Sequence, residues 1–256
     1  QLFGGSKESL LNGAKVLFKL GGFDILDINL GCPVNKVVKE KAGSSWLKPE
    51  RQEELYDAIK SLVDLSPVPV TCKIRLGWDE NSINVVSTCK TLEKAGVKMI
   101  AIHARTRSMM YSGEPKYEYI KLAKEAVNIP VFANGDINSI EKVKEVLELT
   151  KCDGIMIGRG ALGNPILIKQ IVELFSNQTI SEDSTLSERV DFMIIHFNYL
   201  MELKGEFKAI SEMRGLSTHY LKGFNDVKRF KLKLISMKSK EEFYQIAEDI
   251  RNHNVF

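Results

Sequence analysis

The sequence predicts an α/β fold of the (β/α)8-barrel kind followed by a small all-helical domain, and three observations carry that expectation. Short β-branched or apolar runs alternate with longer amphipathic ones as far as residue 175, the pattern of a parallel sheet with crossover helices. Polar residues gather where successive strands end: Asn29 to Cys32, Lys73 with Arg75, His103 with Arg105, Asn134 to Asp136, and Gly158 with Arg159. A barrel mouth collects polar groups from many strands in this way, whereas an open doubly wound sheet concentrates them at one switch point. Beyond residue 176 every remaining period is helical.

Strands are predicted over 25–30, 68–75, 98–103, 130–134 and 153–158, with helices over 6–20, 49–65, 82–95, 117–127 and 139–149. Several of the helices open at Ser or Pro and close near Gly or Asn. The chain starts at Gln1 rather than Met, inside an apolar stretch that resembles the end of a strand. If the strands ending at Asn134 and Gly158 are the seventh and eighth of a barrel, counting backwards makes the one ending at Phe3 the third, and the first two are expected to be missing. Residues 176–187 read as polar, and the chain divides into a barrel over 1–176 and a helical domain over 185–256 with periods at 189–203, 210–222, 227–235 and 240–250.

Composition excludes several classes. With 36 Lys+Arg against 33 Asp+Glu and 44% apolar residues in 256, the chain is neither disordered nor strongly charged. No apolar run reaches the roughly 20 residues that span a bilayer, so a cytoplasmic protein is expected. Cys32, Cys72, Cys89 and Cys152 match neither a redox pair nor a zinc site, so no metal is expected and each thiol stands alone. The near-neutral total hides a basic stretch in which Lys204, Lys208, Arg214, Lys222, Lys228, Arg229, Lys231, Lys233, Lys238 and Lys240 face only Glu206, Glu212 and Asp226. Such a run is either a solvated face or a footprint for a phosphate backbone.

Four features carry chemistry. Gly158-Arg159-Gly160-Ala161-Leu162-Gly163 matches a dinucleotide fingerprint literally, but it follows the last strand instead of the first, and the acidic residues about 20 positions on, Glu182 and Asp183, lie in a linker instead of ending a strand. In a barrel the same glycines, with Asn134-Gly135-Asp136, are the loops whose amides hold phosphate, and plain tight turns are the alternative. Lys73 shares strand parity with Thr71 and Arg75 and faces the mouth, where an inward lysine calls for an anion or an electron-rich ring; His103 reaches the same mouth or caps the core. Cys32 lies on a loop with Lys36, Lys39 and Lys41, a setting that suits a nucleophile or proton donor, whereas the other three cysteines read as buried small hydrophobes.

Taken together, Asp27-Ile28-Asn29-Leu30-Gly31-Cys32-Pro33-Val34, Ala42-Gly43-Ser44, Lys73-Ile74-Arg75-Leu76-Gly77-Trp78, His103-Ala104-Arg105-Thr106-Arg107, Asn134-Gly135-Asp136-Ile137 and the run from Ile157 to Pro165 resemble the tRNA-dihydrouridine synthase family, its bacterial B-type subgroup above all. The resemblance implies an FMN-dependent enzyme that reduces the C5–C6 double bond of particular tRNA uridines with NADPH, Cys32 protonating C5. It implies FMN contacts from Gln1, Lys73, His103, Asn134, Gly135, Asp136, Gly158 and Arg159, uracil binding by Asn29, and passage of RNA near Arg105 and Arg107. It also implies a monomer that takes tRNA as its partner, with the basic tail as the RNA-facing part. The rival readings are a tRNA-binding module without chemistry and another FMN barrel oxidoreductase acting on a small pyrimidine.

Overall fold

The computed structural model describes residues 1–253 and divides the chain into two compact units, Gln1–Ile137 with Glu141–Ile157, and Asn138–Ile140 with the chain from Gly158 onward. In the first unit the elements run α1 (Lys7–Leu20), β1 (Leu26–Asn29), α2 (Asn35–Lys39), α3 (Gln52–Leu65), β2 (Val70–Arg75), α4 (Val85–Ala95), β3 (Met99–His103), α5 (Glu118–Ala126), β4 (Val131–Asn134), α6 (Ile140–Thr150) and β5 (Gly154–Met156). Every predicted strand and helix of this stretch is present, with ends that coincide with the expected ones or differ by at most three residues. Ser6 caps α1 through a reciprocal pair of bonds with Ser9, and Gly96, left-handed at φ +99, ends α4.

All five strands are parallel and lie in the order β1-β2-β3-β4-β5. A doubly wound sheet reverses its order at a switch point; an unbroken order is that of a barrel wall. The strand expected to end at Phe3 is reduced to a parallel bridge between Leu2 and Ile28, closed by Leu2 N–H donating to Asp27 O (2.8 Å) and Asn29 N–H donating to Leu2 O (2.9 Å).

Strand parity sorts the two faces. Leu26, Ile28, Val70, Cys72, Ile74, Ile100, Ile102, Val131 and Ala133 are fully buried on one of them, with the apolar sides of α3, α4 and α5 (Leu55, Ile59, Leu62, Cys89, Leu92, Ile120) equally buried. The other face holds Asp27, Asn29, Thr71, Lys73, Arg75, His103 and Asn134, so the sheet presents an apolar side and a polar one. Cys72, Cys89 and Cys152 are buried, and burial pushes the Cys72 thiol well up and that of Cys89 to about 12.

The second unit contains α7 (Ile166–Phe175), α8 (Leu186–Lys204), α9 (Glu206–Tyr220), α10 (Lys228–Ser236) and α11 (Lys240–Arg251). Its core joins Val190, Met193 and Phe197 of α8, Ile210 and Met213 of α9, Phe230 and Leu234 of α10 and Phe243 of α11, with the Phe197 and Phe243 rings 4.1 Å apart. Residues 158–176, expected to belong with the barrel, group with these helices, and the intervening polar segment is tied down. Arg189 Nη1 donates to Gly163 O (2.6 Å), and Gln170 Nε2 donates to Ser181 O (2.9 Å) and Asp183 Oδ1 (3.0 Å).

Gly163 is where the dinucleotide-like run finds its structural use. Its φ is +68, and a Cβ there would stand 2.4 Å from His219 C and Tyr220 N, both backbone atoms that cannot step aside. Gly163→Ala is therefore expected to cost roughly 2–5 kcal/mol, adding left-handed strain to overpacking. Gly215→Ala, in open space within α9, should be neutral or stabilising by up to about 1 kcal/mol. Urea unfolding followed by circular dichroism separates the two, and equal midpoints would refute the packing role.

Candidate active site

Register assembles the polar face of the first unit. Asn29 lies opposite Lys73, Lys73 opposite Ala101, Arg75 opposite His103, and His103 opposite Asn134. Partners in a parallel ladder share a face, so Asn29 and Lys73 form one layer and Arg75, His103 and Asn134 the next, nearer the strand C-termini. Thr71 Oγ1 donates to Asp27 Oδ1 (2.7 Å) on the same side. Phe132, opposite Ala101, continues the Asn29–Lys73 layer across from Gly154, where a Cβ would come within 2.7 Å of its ring.

Cys32 is held by its backbone. Asn29 Oδ1 accepts from Gly31 N–H (3.1 Å) and Cys32 N–H (2.9 Å), an Asx-type turn that ends β1, while Cys32 O accepts from Ser44 N–H (3.0 Å) and Ser44 Oγ (2.8 Å). Gly43, at φ +58, brings the returning chain so close that a Cβ would lie 2.8 Å from Cys32 O. The loop of residues 32–44 is thus pinned at both ends with the half-buried thiol at its start. Asn29 Nδ2 donates to Gln1 Oε1 (3.1 Å), and Gln1 Nε2 donates to Asp27, which links two residues of the predicted site, Asn29 and Gln1, to Asp27.

Arg75, for which sequence alone suggests no specific role, is the hub. It is 2% exposed; its Nε donates to Gly31 O (2.9 Å) and its Nη1 to Thr106 O (2.9 Å) and Met110 O (2.7 Å), with the Tyr111 ring 5.5 Å from the guanidinium carbon. One fork therefore ties the Cys32 turn to the loop after β3. The signal was available: its parity matches that of Lys73, and a second inward cation at the same rim needs carbonyls to satisfy it.

His103 is buried, and its Nε2 has no hydrogen-bond partner among the described residues. Burial, and then the cations Arg75, Lys73 and Arg105, push its pKa down to about 3, so the imidazole is neutral at physiological pH. Burial and Arg75 likewise push Lys73 down to about 7. Gly135, at φ +127, passes beneath the imidazole, where a Cβ would stand 2.9 Å from Cδ2; Tyr117 OH donates to its carbonyl. Asn134 Nδ2 donates to Met156 O (2.8 Å).

Arg105 requires a correction. Expected where RNA passes, it is 1% exposed: Nε donates to Ser112 O (3.1 Å), and Nη2 donates to Gly113 O and forms an ion pair with Asp136. The loop after β3 folds over the guanidinium, converting a presumed RNA contact into a brace between two loops; the period of the sequence placed the residue at the mouth but could not show the loop covering it. Arg107 is half-buried, donates to Asn35 Oδ1 (2.7 Å) and lies over the Trp78 ring at 4.6 Å, with Lys48 also 4.6 Å from that ring.

Gly158 and Arg159 begin the second unit. No atom lies within 4 Å of where a Gly158 side chain would point, and Arg159 opens a 3₁₀ turn ending at Ala161. In the basic stretch of this unit Lys204 pairs with Glu212, Lys233 with Asp249 and Lys240 with Glu206 at 2.9 to 3.6 Å, while Lys208, Lys222, Lys228 and Lys238 are exposed. Among the described residues no cluster of His, Cys, Asp and Glu could hold a metal ion, and no helix is long and apolar enough to cross a membrane.

Comparison with known proteins places the fold and the family. A solved chain from Zymomonas mobilis ZM4, described as a dehydratase, superposes with a TM-score of 0.51 at 16% identity, covering 71% of this chain and 45% of its own, a likeness of fold alone. The protein is 41% identical over 228 residues to tRNA-dihydrouridine synthase B of Vibrio parahaemolyticus, covering 89% of this chain and 70% of that one. To tRNA-dihydrouridine synthase B of Pasteurella multocida it is 38% identical over 224 residues, 87% of this chain and 66% of the relative. The model of the dihydrouridine synthase family matches residues 1–254. With that match running through both units and through the Asn29–Cys32 turn, the chain belongs to the dihydrouridine synthase family, and its relatives include the B-type enzymes.

Proposed function

We propose that this oxidoreductase reduces specific uridines of tRNA to 5,6-dihydrouridine with FMN and NADPH, in the cytoplasm and as a monomer. The observation that carries the reading is the Asn29–Cys32 turn, which places a half-buried thiol at the end of β1. Residues 1–176 would supply the chemistry and 185–256 would hold the RNA.

The residues present fit a flavin. An orphaned, buried His103 Nε2 offers a neutral hydrogen-bonding group, Lys73 a cation that meets little solvent, and Gly135 a backbone that only glycine permits. Lys73, His103, Asn134, Gly135, Asp136 and Gln1 would hold it, and Gly158 and Arg159 are kept as phosphate-binding residues on their glycine-rich pattern. When bound and reduced by NADPH, FMN would supply the hydride that uracil C6 receives. Lys73 sustains negative charge beside the ring. Asn29 orients the uracil, and Arg107 meets the RNA that carries it. The Cys32 Sγ–H bond breaks as its proton passes to C5, so the base is reduced by one hydride and one proton. The target must leave its stack to reach this mouth, which gives the lysines of the helical unit their use in gripping distorted RNA.

The test is reconstitution. The chain incubated with FMN, NADPH and unmodified tRNA should take on a flavin absorbance and yield dihydrouridine, read by nucleoside mass spectrometry. A colourless chain that binds tRNA would leave a binding module, and turnover of a free pyrimidine without RNA would leave a different flavin oxidoreductase.

A further inference from the structure

The helical unit contains a pocket of about 390 Å³ lined by Glu206, Phe207, Ile210, Ser211, Arg214 and Lys238. Four of these stand at i, i+3, i+4 and i+7 along α9 and so form one stripe of that helix. Ile210 of this stripe and its neighbours Ala209 and Met213 are buried in the four-helix core, which makes the stripe a rigid platform. Phe207 is 83% exposed, the largest exposure of any bulky apolar side chain described, and packing does not explain it. Arg214 spends its Nε on Met237 O (2.8 Å), which fixes the fork and leaves the Nη edge for an acceptor. Glu206 lies 3.6 Å from Lys240, so its charge is balanced and the pocket keeps a positive rim in Arg214 and Lys238.

From this juxtaposition we propose that the pocket receives one unpaired base of the RNA, stacked on Phe207, with its neighbouring phosphate held by Arg214 and Lys238; the proposal rests on the reading of the chain as a tRNA-modifying enzyme. An aromatic face flanked by cations is the arrangement that binds unstacked nucleotides, since every base has a π-face and each carries a phosphate. A duplex offers no free base face, so the ligand is a nucleotide in a loop. The volume lies within the range of about 300–1,000 Å³ of small-molecule pockets.

The experiment titrates the full chain with an unmodified tRNA transcript by fluorescence anisotropy at several salt concentrations. Phe207→Ala, which removes an exposed ring and leaves the core intact, should weaken binding about 5- to 150-fold, from the ~1–3 kcal/mol of a base–aromatic stack at about 1.4 kcal/mol per tenfold. The slope of affinity against salt should stay unchanged, because no phosphate contact is lost. Phe207→Tyr should bind like the parent, and Lys238→Gln should lower the slope by about one. A fully paired RNA duplex should bind the parent and Phe207→Ala equally. Unaltered tRNA binding by Phe207→Ala overturns the pocket alone, as does an equal loss for the duplex. Failure of the parent chain to bind tRNA at all overturns the underlying reading together with the pocket.

Discussion

Cys32→Ala is expected to abolish dihydrouridine formation while NADPH still bleaches the flavin. The thiol is the acid of the proposed reaction, and loss of a positioned proton donor lowers a rate by about 10²–10⁴. The turn that carries it does not depend on sulfur. Asn29 Oδ1 binds the backbone N–H of residue 32, and Ser44 binds its carbonyl, so alanine keeps the loop in place. Reductive and oxidative half-reactions should therefore separate: stopped-flow bleaching at the parent rate, and tRNA that returns no dihydrouridine. A yield equal to that of the parent would remove Cys32 from the mechanism.

Arg75→Met should be the most damaging change in the first unit. It leaves the carbonyls of Gly31, Thr106 and Met110 without their shared donor, and a buried polar group left unpaired costs about 1–3 kcal/mol. Partial relaxation of the two loops keeps the sum below three full penalties, so a loss of about 3–5 kcal/mol is expected in denaturant unfolding. Arg75→Lys should recover little, because one ammonium cannot reproduce a fork that reaches both the Cys32 turn and the loop after β3. Because the same fork fixes both loops, dihydrouridine yield should fall even at temperatures where the variant is folded. A midpoint within experimental error of the parent would show that water satisfies these carbonyls.

The two residues illustrate different degrees of legibility. Cys32 stood out because a thiol beside a strand end, off any apolar period, lacks a packing explanation. Arg75 was equally visible as a residue and its parity was correctly read, yet its partners are carbonyls 44, 31 and 35 positions away, and main-chain acceptors leave no mark in a sequence. Arg105 shows the opposite error. Its position at the rim was right, and only the fold of the loop of residues 106–117 over it reveals that it binds protein.

Sequence alone determined the alternation of strand and helix, the faces of the strands, the helical tail and the family, because these depend on periods of two and 3.6 residues and on short contiguous motifs. Strand order came next in difficulty: polar residues ending five successive strands already pointed to a barrel wall, and the register confirmed which of them share a layer. Tertiary structure alone decided what each polar group does. It made Gly163 a packing residue, Arg75 a hub and Arg105 a brace, left the Phe207 ring exposed, and grouped residues 158–176 with the helices. The reason is physical: periodicity records which side of an element is apolar, whereas a buried charge or a close backbone approach is set by atoms far away in the chain.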